Sequence, residues 1–217
     1  MRYSLRGLGT MLLLALAYAL DTEGLFPYLA ASVLLHELGH VLALRLTGGR
    51  IRGIAPASLG LTLRYGALLS YGRDAAVAFG GPAANLAAAL LAMGLAGRLP
   101  EAPGLSLFAG VNLMLGVFHL LPARPLDGGG VLRALLARRM EIDRADRIVT
   151  RMSRIVGLVL TGAGVYILVK TRYNMSILAV GSLILGGTYA AGTGKDPSSR
   201  AQARPLLRRR VRAGDQR

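Results

Sequence analysis

The chain has 217 residues, 53% of them hydrophobic, and its 26 Lys and Arg against 11 Asp and Glu give a net charge of +15. This apolar fraction excludes a long disordered polar chain, and it exceeds what the core of one soluble domain of this size can bury. The sequence contains no cysteine, so disulfide scaffolds, thiolate zinc sites and cysteine nucleophiles are excluded. We therefore expect a membrane protein in which any metal is held by histidine and carboxylate.

Six apolar stretches carry almost no charge, and most approach the roughly 20 residues that cross a bilayer core. They cover residues 5–20, 25–46, 75–97, 104–122, 153–169 and 175–191. The first is short and flanked by basic residues, as in a signal peptide, but another apolar stretch follows it at once, so we interpret it as a retained span. The pattern predicts an all-α polytopic membrane protein with six transmembrane helices, forming one domain over residues 1–192.

The basic residues are distributed unevenly about these spans. If both termini lie on one side, 23 of the 26 Lys and Arg lie on that side, and Arg98, Lys170 and Arg172 lie on the other. The positive-inside rule then predicts a multi-pass protein of the cell membrane with cytoplasmic termini. Residues 193–217 are expected to form a basic cytoplasmic tail attracted to anionic lipid. Because topology accounts for most of the charge, no nucleic-acid partner is expected.

The second apolar stretch contains the sequence HELGH, formed by His36, Glu37 and His40 with the two residues between. The spacing i, i+4 puts both imidazoles on one helical face, within reach of a single Zn²⁺. Glu37, next to the first imidazole, can take a proton from metal-bound water. Three ionisable groups inside hydrocarbon are costly without a compensating ligand, so a zinc site is favoured over a buried cluster of hydrogen-bonded histidines.

A catalytic zinc needs a third protein ligand, and Asp127 is the best candidate. It follows the fourth apolar stretch in the segment HLLPARPLDGGG, where Pro122 and Pro125 end the helix and the glycines let the backbone turn beside the acid. Asp127 and HELGH both lie toward the cytoplasmic ends of their spans, at similar depth. The alternative role of Asp127 is that of an N-cap for the helix that follows.

HELGH, the sequence GGPAAN at residues 80–85 and the PLDGG segment resemble the site-2 protease family of intramembrane zinc metalloproteases, in order and spacing over about residues 25–135. The resemblance implies that His36, His40 and Asp127 bind zinc and that Glu37 is the catalytic base. The compact build is similar to the sporulation-factor type, which matures a membrane-tethered pro-sigma factor, and it lacks an inserted PDZ domain.

The resemblance further implies a zinc metalloendopeptidase that acts in regulated intramembrane proteolysis. Its substrate would be a membrane-tethered protein, for example a pro-sigma or anti-sigma factor, cut at or near the cytoplasmic face. A regulatory membrane protein is a further expected partner. A non-proteolytic membrane protein that binds or transports a metal is the alternative function, although such a protein needs no base at Glu37. A third alternative is a proteolytically inactive, chaperone-like homologue.

One position departs from the family pattern, because His119 stands where the family usually has Asn, eight residues before the zinc Asp. An imidazole there can donate a hydrogen bond to the substrate backbone or to a developing oxyanion, and Asn112, on the same helical face, is an expected partner. A packed histidine bonded to a helix and an additional or alternative metal ligand both stay open for His119. Asn85 is either a substrate contact or a buried bond between helices.

Residues 50–71 alternate apolar with small or polar residues, which predicts a small membrane-associated β-hairpin between spans two and three. An exposed edge strand containing Leu61, Thr62 and Leu63 could pair with an unwound substrate segment and present its carbonyl to zinc. An irregular cytoplasmic loop is the alternative.

Overall fold

The structure, a computed structural model, describes residues 21, 24–57, 60–66, 70–99, 101–172 and 176–192. Within these ranges the chain forms six helices and two strands. They are α1 (Phe26–Leu46), β1 (Arg50–Ala57), β2 (Gly60–Gly66), α2 (Tyr71–Ala96), α3 (Pro103–His119), α4 (Asp127–Ala137), α5 (Ile142–Thr171) and α6 (Ser176–Gly192). The expected first span and the expected basic tail lie outside the described residues.

Three of these helices, α1, α2 and α5, are long and apolar enough to cross a membrane. Helices α3 and α6 are apolar but have 17 residues each. Such helices are about 26 Å long, slightly less than the roughly 30 Å of a hydrocarbon core. The described residues therefore contain three full-length candidate spans, and the expected count of six is not supported.

Two helix boundaries differ from the sequence prediction. Helix α3 ends at His119, although its apolar stretch runs to residue 122, because Pro122 and a series of turns follow. Helix α5 begins at Ile142, before the apolar stretch that starts near residue 153. Residues 142–152 lie outside the six apolar stretches, but α5 continues through them as a regular helix.

The chain divides into two compact units, residues 1–152 and 153–217. In the first, α2 packs against α1, α3 and α4. Helices α1 and α2 approach backbone to backbone: a Cβ built on Gly80 would lie 2.6 Å from the carbonyl oxygen of Gly39. This approach brings the HELGH helix directly against the GGPAAN segment.

The strands β1 and β2 form a two-stranded antiparallel sheet in the segment where the alternating pattern predicts a hairpin. Ala57 pairs with Gly60 next to the connection, and Ile54 pairs with Leu63 further along, with an irregularity between Ile51 and Gly53. In the second unit, the last part of α5 packs against α6 through small residues. A Cβ on Gly157 would lie 2.8 Å from the Leu185 side chain.

Candidate metal centre

Helix α1 has a polar buried face and an apolar exposed face. Ser32, His36 and Gly39 are buried, whereas Leu34 and Leu38 are more than half exposed. In water this arrangement would leave large apolar side chains unburied, so it is suited to a helix that turns its leucines toward lipid. The histidines of HELGH consequently point into the protein.

The structure brings the three expected metal ligands together. The Nε2 atom of His36 lies 3.0 Å from Oδ2 of Asp127, and the Nε2 atom of His40 lies 3.4 Å from Oδ1 of Asp127. The two Nε2 atoms are 3.1 Å apart. Among the described residues, these three side chains form a group whose ligand atoms all lie within 4.8 Å of one another.

Neighbouring acceptors determine which nitrogen of each imidazole carries the proton. The side-chain amide of Asn85 donates from Nδ2 to Ser32 O (2.9 Å) and to Asn112 Oδ1 (2.7 Å), so its Oδ1 is the atom that faces Nδ1 of His36, at 2.5 Å. An acceptor at that place requires His36 to donate from Nδ1. His40 directs Nδ1 at the main-chain carbonyl of Val77, at 2.8 Å, and this shorter contact favours a proton on Nδ1 over the 3.3 Å contact from Gly81 N–H to the same atom.

The direction of the Nε2 lone pairs indicates whether the site fits a metal. With both protons on Nδ1, both Nε2 lone pairs point at each other and at a carboxylate, so three acceptors converge. Such a set repels itself unless a cation lies among the acceptors. Two imidazole nitrogens and one carboxylate oxygen are a usual protein ligand set for catalytic zinc, and outer hydrogen bonds to Nδ1 usually orient zinc histidines. The residues therefore fit a bound Zn²⁺.

Asp127 is the first residue of α4, and its carboxylate does not cap that helix. The N-cap is Leu126, and no side-chain cap bond forms, so the N-cap alternative for Asp127 is excluded. Burial raises the pKa of the Asp127 carboxyl, but the neighbouring imidazoles, foremost the hydrogen bond from His119, outweigh burial and hold this pKa well below its usual range. The anionic form, which metals bind, is thus favoured.

His119 contacts the same carboxylate from the end of α3. Its Nδ1 atom lies 2.7 Å from Oδ2 of Asp127, and its ring centroid lies 4.3 Å from that of His36. Among the described residues, His119 does not join the group of mutually close ligand atoms. In this geometry it orients the Asp127 carboxylate, and its side chain is still 23% exposed.

Asn85 and Asn112 lie in the wall of the site and are fully buried. Besides its bond with Asn85, Asn112 donates to Ser32 Oγ (2.8 Å) and to Phe108 O (2.9 Å). The expected pairing of Asn112 with His119 is thus replaced by bonds to Ser32, Asn85 and Phe108. Asn85 contacts His36 directly, whereas Asn112 contacts Asn85. Both side chains are fully buried, so neither lies on a surface that a substrate can touch.

Sequence reasoning missed three contributors to the site. Ser32 precedes His36 by one helical turn, a spacing that could have revealed it. Val77 contributes only its main-chain carbonyl to the site, and the identity of a side chain does not indicate a main-chain contact. Gly81 leaves space for the imidazoles, since a Cβ there would lie 2.7 Å from Nε2 of His36 and still closer to His40.

The remaining predicted site residues lie in α1 and β2. Glu37 lies next to His36 and is half-buried. Leu61, Thr62 and Leu63 lie in β2.

Comparison with known proteins links the chain to named zinc metalloproteases. Residues 102–160 match the model of Peptidase family M50. Rip3 of Mycobacterium tuberculosis is 38% identical over 165 residues, which cover 69% of this chain and 40% of the relative. Zinc metalloprotease MJ0392 of Methanocaldococcus jannaschii is 28% identical over 140 residues, covering 63% of this chain and 41% of the relative. The chain thus spans about 40% of the length of these curated relatives.

The fold is similar to a solved structure of the Site-2 Protease from Methanocaldococcus jannaschii. The TM-score is 0.62 at 22% sequence identity, and the alignment covers 85% of this chain and 86% of that chain. At this identity the likeness concerns the fold alone. The segment that the model of Peptidase family M50 matches carries Asp127, so the chain resembles this family in sequence around a candidate ligand and resembles a site-2 protease in fold.

Proposed function

We propose that this protein is an intramembrane zinc metalloprotease that hydrolyses a peptide bond of a membrane-tethered substrate protein. The observation that carries the proposal is the convergence of two imidazole Nε2 atoms and one carboxylate, with Glu37 adjacent to His36 in the chain. The name of the relative MJ0392, a zinc metalloprotease, agrees with it. A metal transporter would need the ligands but no carboxylate base next to them.

His36, His40 and Asp127 would hold the zinc. When bound, the ion supplies a Lewis acid that polarises the scissile carbonyl and makes water a stronger nucleophile. Glu37 accepts a proton from the attacking water and returns it to the departing amine. Its position next to His36 in the chain, together with its partial exposure, suits this exchange.

His119 has one ring nitrogen left for the substrate. Since Nδ1 donates to Asp127, a neutral His119 offers Nε2 as an acceptor, which suits a substrate backbone N–H. Only the imidazolium form would donate to an oxyanion from Nε2. We propose that Leu61, Thr62 and Leu63 of β2 hold the substrate in extended form by main-chain pairing, whereas Asn85 and Asn112 act through His36.

The membrane arrangement forms part of the proposal. Six spans with cytoplasmic termini would put the centre near the cytoplasmic face, where the substrate, for example a pro-sigma or anti-sigma factor, is cut. Residues 193–217 would lie on anionic lipid. A regulatory membrane protein would control access to the centre.

The test combines metal analysis with cleavage assays on single-span substrates, for the wild type and for Glu37→Gln. We expect one zinc per chain in both proteins, with cleavage reduced at least about 100-fold in the variant, since a lost acid-base group typically costs 10²- to 10⁴-fold. Glu101→Gln, a change of an exposed Glu in the turn before α3, is the matched control. A Glu37→Gln protein that cleaves at the wild-type rate would contradict the mechanism.

A further inference from the structure

A carboxylate outside the metal centre binds two arginines at once. Asp146, in the second turn of α5, accepts a hydrogen bond from Arg124 Nη2 at Oδ1. Arg133 Nε also bonds to Oδ1, at 2.6 Å, and Arg133 Nη2 lies 3.5 Å from Oδ2. The three side chains are only 26–35% exposed. Partial burial and a shared carboxylate distinguish this cluster from an isolated surface ion pair.

The two arginines flank the metal carboxylate in the chain. Arg124 is three residues before Asp127, and Arg133 is six residues after it. The turn that leads into α4 is held by short-range main-chain bonds, such as Ala123 N to Leu121 O (2.7 Å) and Leu126 N to Ala123 O (2.8 Å). Asp146 comes from another helix, so its bonds tie both sides of Asp127 to α5.

One of the two arginines has a second acidic neighbour. Arg133 interacts electrostatically with Asp74 of α2 as well, so it would retain an acidic neighbour without Asp146.

We infer that Asp146 is a positioning residue for the metal centre. By binding Arg124 and Arg133 together, it holds the turn that presents Asp127. The inference rests on the proposed function, because it assumes that Asp127 binds a metal.

The test measures metal binding by the full-length protein in detergent, with Zn²⁺ in chelator competition and with Co²⁺ as a spectroscopic probe of ligand geometry. Asp146→Asn removes the charge with little change in shape, and we expect its metal dissociation constant to rise roughly tenfold, near the lower limit for loss of an outer-shell partner. Its Co²⁺ visible spectrum should change. Asp146→Glu should restore most of the affinity, whereas Asp143→Asn, an exposed change on the same helix, should match the wild type.

A second measurement combines Asp146→Asn with substitutions of the two arginines and compares the metal affinities. If Asp146 acts through them, adding Arg124→Gln and Arg133→Gln to Asp146→Asn should cause little further loss of metal affinity, because residues in one network are not additive. Fully additive losses, or wild-type affinity and spectrum in Asp146→Asn, would overturn the inference. If Asp146→Asn is not monodisperse, Arg124→Gln alone should raise the dissociation constant, and a wild-type value would overturn it too.

These outcomes are separate from the failure of the proposed function. A wild-type protein that binds no zinc, or that binds zinc and cleaves no substrate, contradicts the protease proposal. A wild type that binds zinc tightly, with Asp146→Asn indistinguishable from it, overturns only the role of Asp146.

Discussion

His36 and His40 use their two ring nitrogens for different contacts. The Nδ1 atoms face Asn85 and the carbonyl of Val77, and the Nε2 atoms face each other and Asp127. Because the outer contact determines the tautomer, the affinity of the centre depends on residues that touch no metal. Asn85 is the strongest case, since its amide is fully buried and bonds to three groups.

We therefore expect Asn85→Ala to lower zinc affinity about 10- to 100-fold, the range typical of outer-shell changes. Loss of the Asn85 acceptor leaves Nδ1 of His36 without its partner, and the free energy of unfolding should fall by roughly 1–3 kcal/mol because buried polar groups become unsatisfied. Chelator competition and thermal unfolding measure the two effects. Ser32→Ala, which spares the His36 contact, is the control, and equal zinc affinity in both variants would refute this role.

Asp127 and His119 should respond differently to removal of their side chains. Asp127→Ala removes an expected ligand, so zinc occupancy and cleavage should both be lost. His119→Ala removes only the group that orients that ligand, so zinc should remain bound, with affinity lowered by roughly tenfold, while cleavage falls. Zinc content after dialysis distinguishes the two. Loss of zinc in His119→Ala with retention in Asp127→Ala would make His119 the third ligand.

At the scale of elements, the centre depends on how closely α1 and α2 pack. Gly39 and Gly80 allow their backbones to touch, and Gly81 lies directly beneath the two imidazoles. A glycine in the middle of a helix costs roughly 0.5–1 kcal/mol relative to alanine. At residue 81 this cost is offset by the space that the rings require.

Gly81→Ala should accordingly abolish tight zinc binding while leaving the helices intact. The new Cβ would lie within 2.7 Å of Nε2 of His36, so at least one imidazole has to move. Gly94→Ala on the same helix meets no atom within 4 Å and is the matched control. Circular dichroism checks helicity and metal analysis checks the site. Stoichiometric zinc in Gly81→Ala would show that the rings can rearrange at little cost.

The proposed pairing of β2 with the substrate can be tested by removing main-chain hydrogen-bond donors from β2. Successive residues of β2 point their N–H groups alternately at β1 and away from it. Thr62→Pro and Leu63→Pro therefore remove one donor of each kind, and both should reduce cleavage strongly without loss of zinc. The matching alanine variants should be mild, because they spare the backbone. If both proline variants are monodisperse and cleave normally, the substrate is held by the helices instead.

At the scale of the whole molecule, the exposed apolar surface indicates contact with lipid, whereas the distribution of charge predicts the orientation in the membrane. Exposed leucines on α1 and leucines and a methionine on α2 suit contact with lipid. The orientation of the chain across the bilayer stays a prediction, which rests on the 23 basic residues assigned to one side.

Orientation can be measured directly because the chain contains no cysteine. Ser198→Cys should resist an impermeant thiol reagent in intact cells and react after lysis, since residue 198 belongs to the expected cytoplasmic tail. Glu101→Cys, on the expected outer side, should react in intact cells. The reverse labelling pattern would invert the topology and bring the metal centre near the outer face.

Local spacing predicts a candidate ligand set, and three motifs in order carry the resemblance to the family. HELGH places two imidazoles one turn apart through helix geometry alone, and Asp127 is selected because it lies at a similar depth at the end of its span, although its local sequence also suits an N-cap. The comparisons agree with the resemblance to the family, and the three candidate ligands lie close together as expected. The number of spans was beyond sequence reasoning, because the length of an apolar stretch does not give the length of the helix, as the ends of α3 and α5 demonstrate.

Only the tertiary structure could assign the partners of these side chains. The bond from His36 to Asn85 joins residues 49 positions apart, and the bond from Arg124 to Asp146 joins residues 22 apart. Neither pair has a periodic signature, since each depends on which helices become neighbours. Asn112 illustrates the difference: its helical face is predictable, but its choice of Ser32 and Asn85 over His119 follows from the close packing of α1, α2 and α3. A sequence specifies which groups lie on a face, whereas packing decides what each of them meets.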